Sequence, residues 1–320
     1  MKRLLTGIQP SGVLHIGNYL GAIKQIVELQ NDYDAFVMIA DLHALTTPQD
    51  PQKYQDQIIN LAATLIASGL DTEKTTLFTQ SAIPAHTQLA WIFSCLTPIG
   101  ELERMTQYKE KSDKHGQNAG LLTYPVLQAA DILLYHAEVV PVGEDQTQHL
   151  ELARAIARKF NSRYGETFKE PKTLLTKSNR IMALNDSSKK MSKSVAGSAV
   201  GLDDSEEEIR KAIMGAVTDT TPSGIMTAGV KNLFAILEGF AHEKITQFEK
   251  AHNNKTIKYV ELKNTLADAI VKTLVPIQQK KQAIMADKDQ LKKILEQGKE
   301  KAEKIASQTI IEIYQKIGIN

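Results

Sequence analysis

The run Ala35-Phe36-Val37-Met38-Ile39-Ala40 constrains the fold more than any other feature of the chain. A strand that is apolar at every position must be covered on both faces, as in a parallel sheet with helices on either side. The neighbouring segments agree. Residues 3–7 read as a short strand, after which Ile16, Leu20, Ile23 and Val27 fall on one helical stripe. Helix patterns near 54–68 and 84–95 flank a strand near 75–79. Residues 138–142 read as another strand and run directly into a helix whose stripe is Leu150, Ala153, Ala157 and Phe160. Such alternation specifies an α/β domain with a doubly wound parallel sheet, in which ligands bind beyond the carboxyl ends of the strands.

From about residue 203 the strands disappear. Residues 204–216, 231–240, 255–274 and 287–317 read as helices, so a smaller all-helical domain is expected after a polar linker, 186–204, dense in Ser, Lys and Gly. The expected division is 1–194 for the α/β domain, 195–290 for the helical domain, and 291–320 for a last helix packing back on the first domain. The 320 residues suffice for that arrangement, and 42% hydrophobic with 23% charged residues is ordinary for a globular protein. The single cysteine, Cys95, excludes a disulfide framework and reads as a small buried hydrophobe between Ser94 and Leu96. No Cys/His spacing points to a structural metal. No apolar run reaches the ~18 residues of a membrane span, and Met1-Lys2-Arg3 leads straight into the first strand. A cytoplasmic protein is expected. The net charge of +1 advertises neither DNA nor RNA, although residues 241–320 hold 15 Lys against 10 Asp and Glu, an excess of +5. That excess suits a solvated helix face, or a partner released after each turnover.

Chemistry concentrates in a few stretches. Gly7-Ile8-Gln9-Pro10-Ser11-Gly12-Val13-Leu14-His15-Ile16-Gly17-Asn18 lies between the first strand and the first helix. Glycines let a ligand approach the backbone, and free amides at a helix start attract phosphate. His15 and Asn18, three apart, project from one side of the first turn, and Gly17 leaves a flat gap between them. It is not a Walker loop, because no G-x-x-x-x-G-K-[ST] occurs. Downstream, Lys190-Met191-Ser192-Lys193-Ser194 places two cations in a Ser-rich loop. Tyr124, Gln128, Asp131 and Tyr135 recur at helical spacing and draw one polar seam along an otherwise apolar helix. Asp131 there is either a salt-bridged structural acid or a buried acceptor for a ligand's N–H or O–H.

These residues carry a resemblance. His15-Ile16-Gly17-Asn18 is similar to the HIGH motif of class I aminoacyl-tRNA synthetases, and Lys190-Met191-Ser192-Lys193-Ser194 matches their KMSKS motif letter for letter. The two stand in the family's order, about one α/β domain apart. Gly7 to Gly12, Gly100-Glu101-Leu102-Glu103-Arg104-Met105-Thr106 and Val140-Pro141-Val142-Gly143-Glu144-Asp145-Gln146 resemble the tryptophan branch of the tryptophan/tyrosine subgroup. The likeness runs from about residue 1 to 195 and is loose beyond.

The resemblance implies a Rossmann-type catalytic domain that activates L-tryptophan with ATP and Mg²⁺ and loads it on tRNA(Trp), in a homodimer whose helical region reads the anticodon. It assigns catalysis to His15, Asn18, Lys190 and Lys193. It assigns ATP contacts also to Gln9, Pro10, Ser11, Gly17, Gly143, Glu144, Asp145, Ile181, Met191, Ser192 and Ser194, with Ile181 meeting adenine through its backbone. Asp131 would receive the indole N–H. Gln9, Tyr124 and Gln146 would hold the ammonium and carboxylate, with His43 and Gln128 in the pocket. No protein ligand for a metal is implied, Mg²⁺ being carried by ATP. Two positions depart from the pattern: Gln128 stands where Met is expected, and Leu5 where an aromatic is common. A tyrosine-specific sister enzyme, a shorter nucleotidyltransferase and a silent binding or sensor paralogue are the competing readings. Intact His15, Lys190 and Lys193 weigh against the last.

Overall fold

A computed structural model of the chain describes residues 1–10, 12–106, 108, 118–143, 146–175, 181–193, 195–219 and 225–319. By contact the chain divides into two units. One comprises Met1–Ser11, Ile26–Thr176 and Asp287–Asn320, and the other Gly12–Gln25 and Lys177–Ala286.

The first unit is built on five strands: β1 (Arg3–Ile8), β2 (Asp34–Ile39), β3 (Thr76–Thr79), β4 (Val139–Val142) and β5 (Lys172–Leu175). They form one parallel sheet in the order β3-β2-β1-β4-β5. β5 was not foreseen, because Lys172-Thr173-Leu174-Leu175 is short and half-exposed and lacks the apolar run of β2. Ala35 to Ala40 are all buried, as a doubly covered strand requires. Chain order reverses between β1 and β4, so the loops after these strands, with Gln9-Pro10 and Gly143, flank the switch point where such sheets bind ligands.

Helices Ala85–Ser94, Ala119–Leu134, Thr147–Tyr164 and Lys288–Ile317 share one apolar cluster with the sheet, centred on Phe36, Phe78, Phe93, Tyr135 and Phe160. The last of them lies on β3 through Gly298: a Cβ there would stand 1.8 Å from the Leu77 carbonyl oxygen. Two residues depart from expectation. Cys95 is exposed, not buried, because it follows the last turn of Ala85–Ser94 and the apolar face of that helix is supplied by Leu89 and Phe93. In the first helical stripe Ile16, Leu20 and Ile23 are buried as expected, but Ile26 is buried in place of Val27, which is half-buried beside Gly69.

The second unit gathers helices Glu206–Met214, Ala228–Phe240, Ile245–Asn253 and Tyr259–Ala286, of which Ile245–Asn253 was not foreseen. The Gly12–Gln25 segment belongs here. Its helix Ile16–Asn18 runs through a π-helical turn, Tyr19–Ile23, and the Tyr19 ring stacks on Phe240 at 5.8 Å. The polar stretch 186–204 is not a tether. Ile16 N–H donates to the Val200 carbonyl at 3.0 Å and Leu202 N–H to Leu14 at 2.9 Å, while Leu184 N–H donates to Ser198 at 2.8 Å. A segment whose backbone is paired at both ends folds as part of a unit however polar its side chains are. The contact boundary therefore falls at 176/177, upstream of the composition change at 194/195.

Gly298→Ala should cost at least about 2 kcal/mol, because the added methyl meets rigid backbone that cannot move aside. Urea unfolding of the two proteins measures it; equal midpoints would mean that the last helix does not seat on β3.

Candidate active site

Two groups of polar residues stand out, one in each unit. In the second unit, His15 precedes helix Ile16–Asn18 in extended backbone, and Asn18 Oδ1 accepts the His15 N–H at 3.0 Å. That bond fixes the turn in which both side chains lie. A Cβ on Gly17 would stand 2.9 Å from His15 Nδ1 and 3.7 Å from Ile181 Cβ, so only glycine lets the imidazole lie over this turn beside Ile181. Burial, and then the charge of Lys193, hold the His15 pKa below the usual imidazole range. A neutral imidazole offers phosphate a hydrogen bond without a second full charge.

The KMSKS segment joins this group from the far side of a short bridge, in which Met182 and Lys190 pair. Met191 is buried, Lys190 is exposed, and Lys193 is half-buried with its ammonium 2.5 Å from Asp204 Oδ2. The Asn232 side chain holds the backbone of Met182 at both groups. Its Oδ1 accepts the Met182 N–H at 2.8 Å and its Nδ2 donates to the Met182 carbonyl at 2.9 Å. An amide that occupies both backbone groups substitutes for a neighbouring strand, and it fixes the 181–182 segment beside Gly17.

In the first unit, Asp131 is 1% exposed and accepts three hydrogen bonds. Gln80 Nε2 donates to Oδ1 at 2.8 Å, His86 Nδ1 to Oδ1 at 2.7 Å, and His43 Nε2 to Oδ2 at 2.7 Å. The Tyr135 hydroxyl lies 2.8 Å from His86 Nε2. Both ring nitrogens of His86 are thus occupied, Nδ1 by the carboxylate and Nε2 by the Tyr135 hydroxyl. Burial alone would push the Asp131 carboxyl up. The charge of His43, its hydrogen bond and then those of His86 outweigh it and hold the group at about 2. A carboxylate has roughly four acceptor positions, and three are occupied by these donors, which leaves one on the His43 side. Tyr124 is buried next to it, its ring edge-on to His43 at 6.3 Å and its hydroxyl 2.8 Å from His149 Nε2.

The sequence-derived site thus resolves into parts. His15, Gly17, Asn18, Ile181, Lys190, Met191, Ser192 and Lys193 lie in one unit, and Asp131, His43, Tyr124 and Gln128 in the other, with Gln128 half-buried one turn before Asp131. Gln9 is exposed after β1, Pro10 is buried beside it, Gly143 follows β4, and Gln146 precedes helix Thr147–Tyr164. Ser11, Glu144, Asp145 and Ser194 lie outside the described residues. Sequence reasoning missed Gln80, His86, Asn232 and Asp204. Gln80 stands one residue beyond β3, where any polar residue in such a sheet is a candidate; the others sit on helices or turns whose partners are distant in sequence.

A parallel sheet with a switch point at β1/β4, a glycine-flattened His-x-x-Asn turn and two lysines on a bridged loop define a class I aminoacyl-tRNA synthetase. The model of the family described as tRNA synthetases class I (W and Y) matches residues 1–296, and the chain belongs to that family. It is 46% identical to a tryptophan–tRNA ligase of Caldanaerobacter subterraneus subsp. tengcongensis, over 100% of this chain and 99% of that protein. Among solved structures, the tryptophanyl-tRNA synthetase of Mycoplasma pneumoniae superposes with a TM-score of 0.90 at 38% identity, covering 100% of this chain and 98% of that one. That of Campylobacter jejuni, complexed with ADP and tryptophan, gives 0.85 at 36% identity over 99% and 100%.

The Asp131 pKa of about 2 lies below the ordinary 3.8, so the fold favours the ionised form. Its contribution to stability, about 2 kcal/mol, is full above roughly pH 5 and is lost as pH falls toward 2. The stability gap between the native protein and Asp131→Asn should therefore shrink by about that amount across this window. Urea titrations at a series of pH values read it, and a gap independent of pH would mean that the carboxylate is not held ionised by its neighbours.

Proposed function

We infer that the chain is a tryptophan–tRNA ligase. It activates L-tryptophan with ATP to tryptophanyl-adenylate and pyrophosphate, and then transfers tryptophan to the 3′ end of tRNA(Trp). The observation that carries this reading is its likeness, along the full chain, to proteins of that activity. In the first step a tryptophan carboxylate oxygen attacks the α-phosphorus while the bond to the pyrophosphate oxygen breaks. The carboxylate is already ionised at neutral pH, so no general base is needed. In the second step a ribose hydroxyl of the tRNA takes the acyl carbon, loses its proton, and AMP departs.

The site roles are our proposal. Negative charge grows on the α-phosphate and on departing pyrophosphate, and His15, Asn18, Lys190 and Lys193 are of the right types to stabilise it. The lysines contribute most where charge is greatest, in the transition state. Ile181, next to the Met182 backbone that Asn232 clamps, presents backbone to adenine, and Gly143 lies against the ribose. Mg²⁺ arrives with the nucleotide, held by its phosphates. The remaining acceptor position of Asp131 receives the indole N–H, and Gln9, Tyr124 and Gln146 hold the amino-acid head. A pocket built to accept that N–H discriminates strongly against side chains that lack it.

The helices of the second unit are proposed to read the anticodon, and the setting to be the cytoplasm; no described helix is long and apolar enough to cross a membrane. A homodimer is proposed by family precedent, with Trp91, 72% exposed at the rim of a groove of about 320 Å³ that His43 and Tyr124 also line, as a candidate contact. Sedimentation at twice the chain mass is expected, and a monomer at working concentration would remove that assignment.

Amino-acid-dependent ATP–pyrophosphate exchange, with tryptophan, tyrosine and phenylalanine in parallel, tests the activity. Exchange with tryptophan alone is expected; exchange with tyrosine would move the chain to the sister specificity. Lys193→Ala should lower kcat for adenylate formation at least about tenfold with a smaller change in the KM for ATP. If only ATP affinity fell, its role in the transition state would be wrong.

A further inference from the structure

The ammonium of Lys193 already has a partner of the charge it is proposed to find on ATP. Asp204 Oδ2 lies 2.5 Å from Lys193 Nζ and also accepts the Gly201 N–H at 2.8 Å. The carboxylate is well enclosed, its side chain 12% exposed against 31% for the lysine. Gly201 pairs with His15 in an isolated antiparallel bridge, so one carboxylate ties the second motif to the backbone paired with the first.

The backbone around this acid is itself fastened. Gln278 Nε2 donates to the Leu202 carbonyl at 2.8 Å and to the Asp204 carbonyl at 2.9 Å. One turn further along the same helix, Tyr259–Ala286, Lys281 Nζ lies 2.7 Å from both oxygens of Asp203. A Cβ on Gly201 would stand 2.6 Å from Asp204 Oδ1 and 3.1 Å from Lys193 Cε, so the pair closes only over glycine. Gly201 and Gln278 directly, and Lys281 through the adjacent Asp203, thus hold the carboxylate against one lysine of the motif, more support than an ordinary surface ion pair receives.

We propose that Asp204 is a displaceable counter-ion of Lys193, a positioning residue that a polyphosphate must outcompete. This rests on the reading of Lys193 as a lysine that meets ATP. The carboxylate has two effects on the reaction. It holds the ammonium at a fixed place before the nucleotide arrives, so less side-chain freedom is lost on binding. It also opposes the bound ground state, where phosphate and carboxylate share one cation, more than the transition state, where growing phosphate charge draws the ammonium away. Removing the carboxylate therefore deepens the ground state and raises the barrier from it. The pyrophosphate product is retained for the same reason.

The test is a double-mutant cycle with inorganic pyrophosphate as the probe, its Kd measured by calorimetry, alongside kcat and KM for ATP in tryptophan activation. Asp204→Asn keeps an acceptor for the Gly201 N–H and removes the charge. It should tighten pyrophosphate at least about threefold and lower KM and kcat together. In a Lys193→Ala background the same substitution should change pyrophosphate affinity less than about twofold. Gly201→Ala, which forces the pair apart by sterics, should act in the same direction and keeps the test decisive if Asp204→Asn does not fold. Unchanged or weaker pyrophosphate binding in Asp204→Asn, or an effect that persists undiminished without Lys193, would overturn the proposal and leave a structural ion pair. The pyrophosphate cycle reads the counter-ion whether or not tryptophan drives exchange. Loss of exchange in the native enzyme would instead count against the activity.

Discussion

A carboxylate at 1% exposure is the constraint around which the first unit is arranged. Left unpaired, such a charge costs several kcal/mol, so the fold must deliver donors to Asp131 and keep them there. It does so from three places in the chain: His43 just after β2, Gln80 just after β3, and His86 at the start of the next helix. The Asp41 carboxylate accepts the Ser81 N–H at 2.9 Å, binding the ends of β2 and β3 to each other. Parallel strands bring these ends together at the carboxyl edge of the sheet, which is why this topology can supply such a set. The cost of the arrangement is a polar network inside an apolar cluster. Its return is an acceptor whose geometry is fixed before any ligand arrives.

The second unit handles charge differently. Of the two motif lysines, Lys190 is exposed and Lys193 half-buried, and Lys193 is matched by Asp204, which hydrogen bonds from Gly201 and Gln278 keep in place while Lys281 holds the adjacent Asp203. The two strategies suit the two ligands proposed for them. An indole N–H offers one weak donor and needs a rigid acceptor; a triphosphate brings several charges and needs cations that can be recruited and released. Glycine is required in both units for the same reason, close approach: Gly298 against the Leu77 carbonyl, and Gly17 and Gly201 beneath His15 and Asp204.

Much of this was legible in the sequence. The β2 run, the first four strands and the α/β-then-helical order follow from periodicity, and the two motifs follow from the identity of a few letters. Asp131 was visible as an acid on an apolar helix. What periodicity cannot supply is pairing at a distance. Nothing local marks His86 or Gln80 as the partners of an acid some fifty positions away, or Asn232 as the clamp on Met182. The contact boundary of the second unit departs from the composition change for a related reason. Composition registers the polar side chains of 186–204, whereas the hydrogen bonds that fold the segment are made by its backbone. Cys95 was taken for a core residue because its neighbours are apolar, and it lies instead past the end of the helix that carries them.

Asp131, held by three donors, is proposed to keep one acceptor position for the ligand. The most direct test is the affinity of the free enzyme for tryptophan against the isosteric benzothienyl analogue, in which sulfur replaces the indole N–H. Calorimetry should give a Kd at least about tenfold weaker for the analogue, the loss of one buried hydrogen bond to a charged acceptor. Equal affinities would mean that no group on the protein reads the indole nitrogen, and that the buried carboxylate serves the fold alone.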